Sequence, residues 1–439
     1  MAAAPPSRVA ASIKRKREQP ASLVKKTTSF ADLGVDDWLC DALTAMQIKS
    51  PSEIQRACIP PILKGKDVIG GAKTGSGKTA AFALPILQKL SEDPFGIFAL
   101  VLTPTRELAF QIAEQFRVLG KAIGVKECVI VGGLDMMTQA LDLDKRPHIV
   151  IATPGRFRDH IRSSSGAVHL SRCRFLVMDE ADRLFESTFT KDLQYILPHL
   201  PKERQTLLFT ATMTDAILAL QNSEKKPFTH MCDMGVSTVD TLDQRYVFVP
   251  SQVRVVYLAH LLQTEDLEDK SMIIFCARCS TAQQITLMLQ ELGIRCTALH
   301  SLMSQQDRLD SLGKFRAEVV KILVSTDVGS RGLDIPSVEL VINYEIPRDP
   351  TDYIHRVGRT ARAGREGQAI SIVAERDVAL IQGIEEHINK KLEEYPVEEK
   401  DVLEKLNAVT AAKRAANLQM HDDKYGQRKE IYKKKKLRS

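Results

Sequence analysis

Residues 67–84 read Asp67-Val-Ile-Gly-Gly-Ala72-Lys73-Thr74-Gly75-Ser76-Gly77-Lys78-Thr79-Ala-Ala-Phe-Ala-Leu84. A short apolar run, a glycine-bearing polar loop and an alanine-rich helical run follow one another without a break, which predicts strand, loop and helix. Gly75 and Gly77 let main-chain N–H groups turn inward around phosphate oxygens. Lys78 can reach terminal phosphates, and the Thr79 hydroxyl suits Mg²⁺. Ala72 stands where such a loop often has its first glycine. Residues 72–79 are therefore expected to cradle a nucleoside triphosphate.

Outward from this loop the pattern recurs. Apolar runs at 98–102, 127–131, 148–152, 174–178 and 206–209 read as buried strands, and 107–119 reads as a helix. Residues 30–62, ahead of the loop, read as a capped helical segment. A second series has strands at 246–249, 272–275, 322–324 and 340–343. Continuous apolar strands alternating with amphipathic helices predict an α/β fold of mostly parallel sheets with helices on both faces, here in two tandem units. The expected division is a basic flexible tail over 1–28, a first domain over 29–235, a second over 236–395, and a C-terminal helix with basic tail over 396–439.

Composition agrees with a folded body: of 439 residues, 44% are apolar and 26% charged. The net charge of +6 is unevenly spread, because the two ends together carry +11 and leave the middle near −5. Contact with a polyanion by the body must then come from placed side chains and main-chain groups. Eight cysteines without regular spacing suit a reducing compartment. Cys276-Ala-Arg-Cys279 is the one CxxC, and it follows an apolar strand without a second ligand pair, so it reads as structural. No apolar run nears the roughly 18 residues of a membrane span. The acid-free start could pass for a mitochondrial presequence, but the compact blocks Lys14-Arg-Lys-Arg17 and Lys433 to Lys436 favour the nucleus.

At the end of the apolar run 175–178 stand Asp179-Glu180-Ala181-Asp182. Two acids at the carboxyl end of a buried strand lie where such sheets bind ligands. Asp179 suits Mg²⁺ held through water, and Glu180 suits orienting or deprotonating an attacking water. This quartet resembles the namesake motif of the DEAD-box RNA helicases, whose other motifs are matched in order over about 29–395. The resemblance implies two RecA-like domains and ATP with Mg²⁺. Phe30 with Pro51-Ser-Glu-Ile-Gln55 resembles the family's Q motif, implying that Phe30 stacks on adenine and Gln55 reads its edge; Gln47 stands where the family usually has glycine. His355-Arg-Val-Gly-Arg359-Thr-Ala-Arg362 resembles its last motif, with Ala361 replacing a frequent glycine. Arg359 and Arg362 are the implied arginine fingers. Asp334 is implied at the ribose, and Gly329 near phosphates.

For RNA, the resemblance implies contacts with the RNA backbone from Thr105, Arg106, Gly133, Thr153 and Arg156 in the first domain, and from Gln305, Arg308, Thr326 and Arg331 in the second. Such contacts fix position without reading bases. Thr210-Ala-Thr212 stands where Ser-Ala-Thr is usual, and with Asp182 and His355 it is implied to couple hydrolysis to strand separation. Ser91-Glu-Asp-Pro-Phe-Gly-Ile-Phe and the lysine-rich C-terminus resemble the nucleolar branch that assists small-subunit ribosome assembly. The expectation is thus a monomeric RNA helicase acting on pre-rRNA within ribosome precursors in the nucleolus, with a stimulating protein as a possible partner and no membrane. Two rival readings are an ATP-gated RNA clamp with little unwinding and a DNA-directed P-loop ATPase.

Overall fold

The computed structural model describes residues 29–422 apart from 73–74, 95, 164–167, 213, 215–216, 218–228, 233–241, 328–334 and 362–365. In the first half the elements run α1 (Asp37–Ala45), α2 (Glu53–Leu63), β1 (Val68–Gly71), α3 (Lys78–Glu92), β2 (Ala99–Leu102), α4 (Arg106–Leu119), β3 (Glu127–Ile130) and α5 (Met136–Asp144). They continue through β4 (Ile149–Ala152), α6 (Pro154–Ser163), β5 (Phe175–Asp179), α7 (Ala181–Leu184), α8 (Ser187–Ile196), β6 (Gln205–Thr210) and β7 (Thr229–Cys232). The strands form one sheet in the order β3-β4-β2-β5-β6-β1-β7, every neighbouring pair parallel.

Alternation along each strand feeds two cores. Ala99 and Val101 of β2 face a cluster built with α1 to α4, while Leu100 and Leu102 face a second with α6 and α8. In the first cluster the Phe82 ring packs 5.2 Å from Phe209 and 6.2 Å from Phe116, centroid to centroid. Gly70 lets β1 sit this close to the Phe209 ring, since a Cβ there would lie 2.7 Å from it.

The second half repeats the plan with β8 (Leu242–Phe248), α9 (Arg254–Leu261), β9 (Met272–Phe275), α10 (Cys279–Glu291), β10 (Cys296–Leu299), α11 (Gln305–Arg316) and β11 (Ile322–Ser325). Then come β12 (Leu340–Asn343), α12 (Pro350–Val357), β13 (Gly367–Val373), α13 (Val378–Ile388), β14 (Glu393–Glu394), α14 (Glu399–Glu404) and α15 (Leu406–Asp422). The sheet order is β10-β11-β9-β12-β13-β8-β14, again with every neighbouring pair parallel. Parallel strands carry all their carboxyl ends to one edge, and the loops leaving that edge hold the candidate site.

The structure corrects one sequence expectation and adds two features to the rest. Residues 30–62 are not one helical segment: a 3-10 turn (Ala31–Leu33), α1 and α2 are separated, and Gln47 at φ +60° breaks the run before Ser52 opens α2. Strands β10 and β13 were hidden in sequence by interspersed polar residues such as Thr297, Gln368 and Ser371. The C-terminal helix is part of the second core, because Val402, Val409, Ala412 and Ala416 bury against α9 and α10. Cys276 is fully buried with its thiol held well above the usual range by that burial, as suits a structural role. Among the described residues, no helix is long and apolar enough to cross a membrane.

Candidate nucleotide and nucleic-acid site

The nucleotide loop leaves β1 and enters α3. Gly75 and Gly77 have φ of +83° and +90°, the left-handed region that glycine enters without a Cβ penalty. Any Cβ on Gly77 would collide with the Gln55 amide. Lys78 is 8% exposed and its ammonium donates to the Ala72 carbonyl at 2.7 Å, closing the loop on itself; Thr79 follows in the first turn of α3. Ser76 Oγ is buried without a hydrogen-bond partner. Lys73 and Thr74 lie outside the described residues. A glycine cradle, a buried ammonium and an orphaned hydroxyl fit a polyphosphate.

Gln55 does more than sequence suggested. Its Oε1 accepts from the Ser52 N–H at 2.9 Å, starting α2, and its Nε2 donates to the Gly77 carbonyl at 3.0 Å, tying the Q-motif segment to the loop. One amide hydrogen and one lone pair remain for an adenine edge. Phe30 is 5% exposed and packed into the first core.

At the end of β5, Asp179 and Glu180 are 4% and 7% exposed. Glu180 sits at φ +53°, a backbone strain on the order of 1–3 kcal/mol for a non-glycine residue. Its N–H donates to Asp179 Oδ1 at 3.0 Å, while Oε2 is buried without a partner. Burial raises the Asp179 carboxyl, with nearby Lys78 opposing. Burial, then Asp179 and Asp182, push Glu180 up to about 7. Crowded, desolvated carboxylates beside a phosphate cradle are the donor set that a divalent ion relieves.

The coupling residues meet directly. Asp182 Oδ2 accepts from the Thr212 hydroxyl at 2.8 Å and from its N–H at 3.2 Å, and the Thr210 hydroxyl donates to the Thr212 carbonyl at 2.6 Å. The hydroxyl kept in the Ser-to-Thr replacement at 210 is thus engaged, and the acid quartet is wired to the end of β6.

On the nucleic-acid side, Thr105 caps α4 by accepting from the Leu108 N–H, and the Arg106 guanidinium lies against Gly132 and Gly133. Gly133 has φ +87°, and a Cβ on it would strike that guanidinium. Arg156 donates to the Leu134 carbonyl at 2.9 Å, and burial lowers its pKa. The Thr153 carbonyl receives the Phe157 N–H at the start of α6. In the second half, Thr326 is 7% exposed, its N–H given to the Leu299 carbonyl.

Gln305 and Arg308, expected at RNA, both meet Glu107 of the first half. Gln305 Nε2 donates to Glu107 Oε1 at 3.0 Å, and Arg308 pairs with Glu107 Oε2 at 2.8 Å across the seam between the halves. Glu107 is 1% exposed. Sequence reading passed over this acid because its partners lie about 200 residues away. Breaking a buried pair by removing one charge typically costs about 3–5 kcal/mol, here only when the halves are together. Glu107→Gln is therefore expected to raise the Kd for a fluorescent single-stranded RNA, measured by anisotropy with a non-hydrolysable ATP analogue, at least tenfold. Nucleotide binding without RNA should be unchanged.

Arg359 is completely buried just beyond α12, its N–H given to the Arg356 carbonyl at 3.1 Å, and His355 is 8% exposed. Ala361 sits at φ +54°. Gly329, Arg331, Asp334 and Arg362 lie outside the described residues. Arg356, which sequence reading did not single out, is the pin of this region: Nε pairs with Asp327 at 2.6 Å, Nη1 donates to the Glu345 carbonyl at 2.7 Å, and the guanidinium lies over the Phe275 ring.

The comparisons agree with this geometry. Residues 52–220 match the DEAD/DEAH box helicase family and residues 253–364 the helicase conserved C-terminal domain. The ATP-dependent RNA helicase dbp8 of Schizosaccharomyces pombe is 55% identical over 93% of this chain and 93% of its own. The "Probable ATP-dependent RNA helicase DDX49" of Homo sapiens is 54% identical over 93% of this chain and 86% of its own. Among solved structures, Mss116p bound to single-stranded RNA and AMP-PNP superposes with a TM-score of 0.78 at 31% identity, covering 88% of this chain and 83% of that one. With a phosphate cradle, a buried acid pair and both helicase halves in sequence order, the chain belongs to the DEAD-box family of ATP-dependent RNA helicases.

Proposed function

We propose that this helicase remodels pre-rRNA within ribosome precursors in the nucleolus, works as a monomer, and is stimulated by a protein cofactor. The basic blocks at both ends and the resemblance to the nucleolar branch support the setting. The observation that carries the enzymatic core of the reading is the convergence of Lys78, Asp179 and Glu180 at one sheet edge.

In this reading Phe30 and Gln55 hold adenine, and residues 72–79 hold the phosphates. Thr79 and Asp179, the latter through water, would hold Mg²⁺, which supplies positive charge to the transferring phosphoryl group when bound. Glu180 orients the attacking water, and Arg359 with Arg362 neutralises charge from the other half, so hydrolysis waits for closure. ATP and RNA each favour the closed state, so each tightens the other. Asp182 and Thr212 carry the nucleotide state to β6.

The test is the ATPase rate with no nucleic acid, with single-stranded RNA and with DNA of the same sequence, in wild type and Arg362→Ala. RNA is expected to stimulate at least tenfold, DNA far less, and Arg362→Ala to abolish the stimulation. Equal rates throughout would overturn the reading. Cross-linking in cells that recovers no pre-rRNA would remove the proposed substrate while leaving the enzyme intact.

A further inference from the structure

Among the described residues β3 is an outer strand of the first sheet, paired on one side only. The N–H groups of Ile149 and Thr153 donate to the carbonyls of Lys126 and Ile130, at 3.1 and 3.0 Å. Even-numbered residues thus turn their main-chain groups toward β4, and by alternation Glu127 and Val129 turn theirs to the free edge. Sheet edges are usually blunted or covered. This one instead borders a cavity of about 380 Å³ between α4 and α5, with Phe110, Val129 and Leu134 in its wall. Beside it Met137 and Leu141, four residues apart on one face of α5, are 69% and 59% exposed.

Charge decides what fits. The cavity wall holds the carboxylates of Glu127, Asp135 and Asp142 against one cation, Arg117, which is itself paired to Glu127 at 2.6 Å. Asp142 is paired at the surface with Lys145 outside the wall. With Lys145 counted the groove keeps a net charge of −1, so this face favours a basic protein segment over a phosphate backbone. An open strand edge demands extended backbone, and apolar walls demand alternate apolar side chains.

The groove is also wired to the nucleic-acid side. Arg156 donates to the Leu134 carbonyl, and Gln139 of the cavity wall donates to the Val131 carbonyl at 2.8 Å. Between these carbonyls lie Gly132 and Gly133, against which Arg106 rests, and a Cβ on Gly133 would also lie 3.9 Å from Gln305 of the other half.

We infer that the free edge of β3 is a docking groove for an extended, basic, apolar-alternating segment of a partner protein, which adds a strand to the first sheet and resets the loop 131–135. The effect on RNA rests on the reading of Arg106, Gly133 and Arg156 as RNA contacts; the docking itself does not.

The test pans a random 12-residue phage-displayed peptide library against the full chain without ATP or RNA. Enriched peptides are then measured by fluorescence anisotropy. The expected peptides alternate Lys or Arg with β-branched or aromatic residues, and their Kd rises at least tenfold in Asp142→Arg and in Val129→Pro. The proline removes an outward N–H, a change edge strands tolerate, and Asp142→Arg alters only the exposed rim, so retained RNA-stimulated ATPase certifies folding. Acid-rich or uncharged peptides, no enrichment, or unchanged affinity in Asp142→Arg would overturn the groove. Peptide that binds as expected but shifts RNA affinity by less than threefold would overturn the link to the loop.

Discussion

Glu180→Gln is expected to lower the RNA-stimulated ATPase rate by about 10²–10⁴-fold, the usual contribution of a positioned general base, while ATP still binds and holds RNA longer than in wild type. The substitution keeps shape and the left-handed turn at the end of β5, and replaces a carboxylate whose Oε2 is buried without a partner. Its effect on stability has the opposite sign. Glu180 is pushed from an ordinary 4.5 up to about 7, so in the ligand-free, metal-free protein its contribution is fully favourable only below about pH 4.5 and is lost as pH rises through about 7. Glutamine removes that loss. The Tm of Glu180→Gln relative to wild type should therefore increase between pH 5 and pH 8, by scanning calorimetry. Undiminished ATP turnover would refute the role assigned to Glu180, whatever the Tm does.

That prediction rests on residues visible in sequence for a physical reason. Phosphate and metal chemistry demand particular residue types at contiguous positions, so residues 72–79 and 179–182 could be read without coordinates. Contacts set by the fold could not. Glu107 sits in a stretch already assigned to RNA, yet its partners Gln305 and Arg308 come from the other half. Within 355–362 the sequence displays three arginines but not how the core uses them: the structure buries both Arg356 and Arg359 completely and sets Arg356 against Phe275 of β9 and the Glu345 carbonyl. The break at 46–52 was signalled by Pro51 and Ser52 but outweighed by the helical pattern on either side.

Two departures from the family pattern gain a meaning that sequence alone did not give them. Gln47 and Ala361 stand where glycine is usual, and both hold positive φ, +60° and +54°. The glycines are therefore backbone requirements of these two turns, and this chain meets them with strained residues at a cost on the order of 1 kcal/mol each. Ala361 follows Arg359 by two residues, so the strain lies in the loop that would present the arginine fingers.

Arg356→Leu is expected to destabilise the second half by about 2–4 kcal/mol, at the lower end of what breaking a buried pair costs because Asp327, at 41% side-chain exposure, keeps access to water. Beyond the Asp327 pair the loss has three parts. The Glu345 carbonyl loses its 2.7 Å donor, Phe275 loses the cation above its ring, and the fully buried guanidinium leaves a void that leucine fills only in part. Since 2–4 °C per kcal/mol is usual for a unit of roughly 150–250 residues, the second-half transition should fall by about 5–15 °C in scanning calorimetry. The first-half transition should stay in place. Arg356→Lys keeps the charge but not the planar fork, which alone can address Asp327 and Glu345 together while stacking on Phe275, so it should recover less than half of the shift. Because α12 leads directly into Arg359, both variants should also lose RNA stimulation at temperatures where the first half is folded and still binds ATP. A leucine variant with an unmoved second transition would show that the helix is held by its apolar face alone, through Tyr353 and Val357.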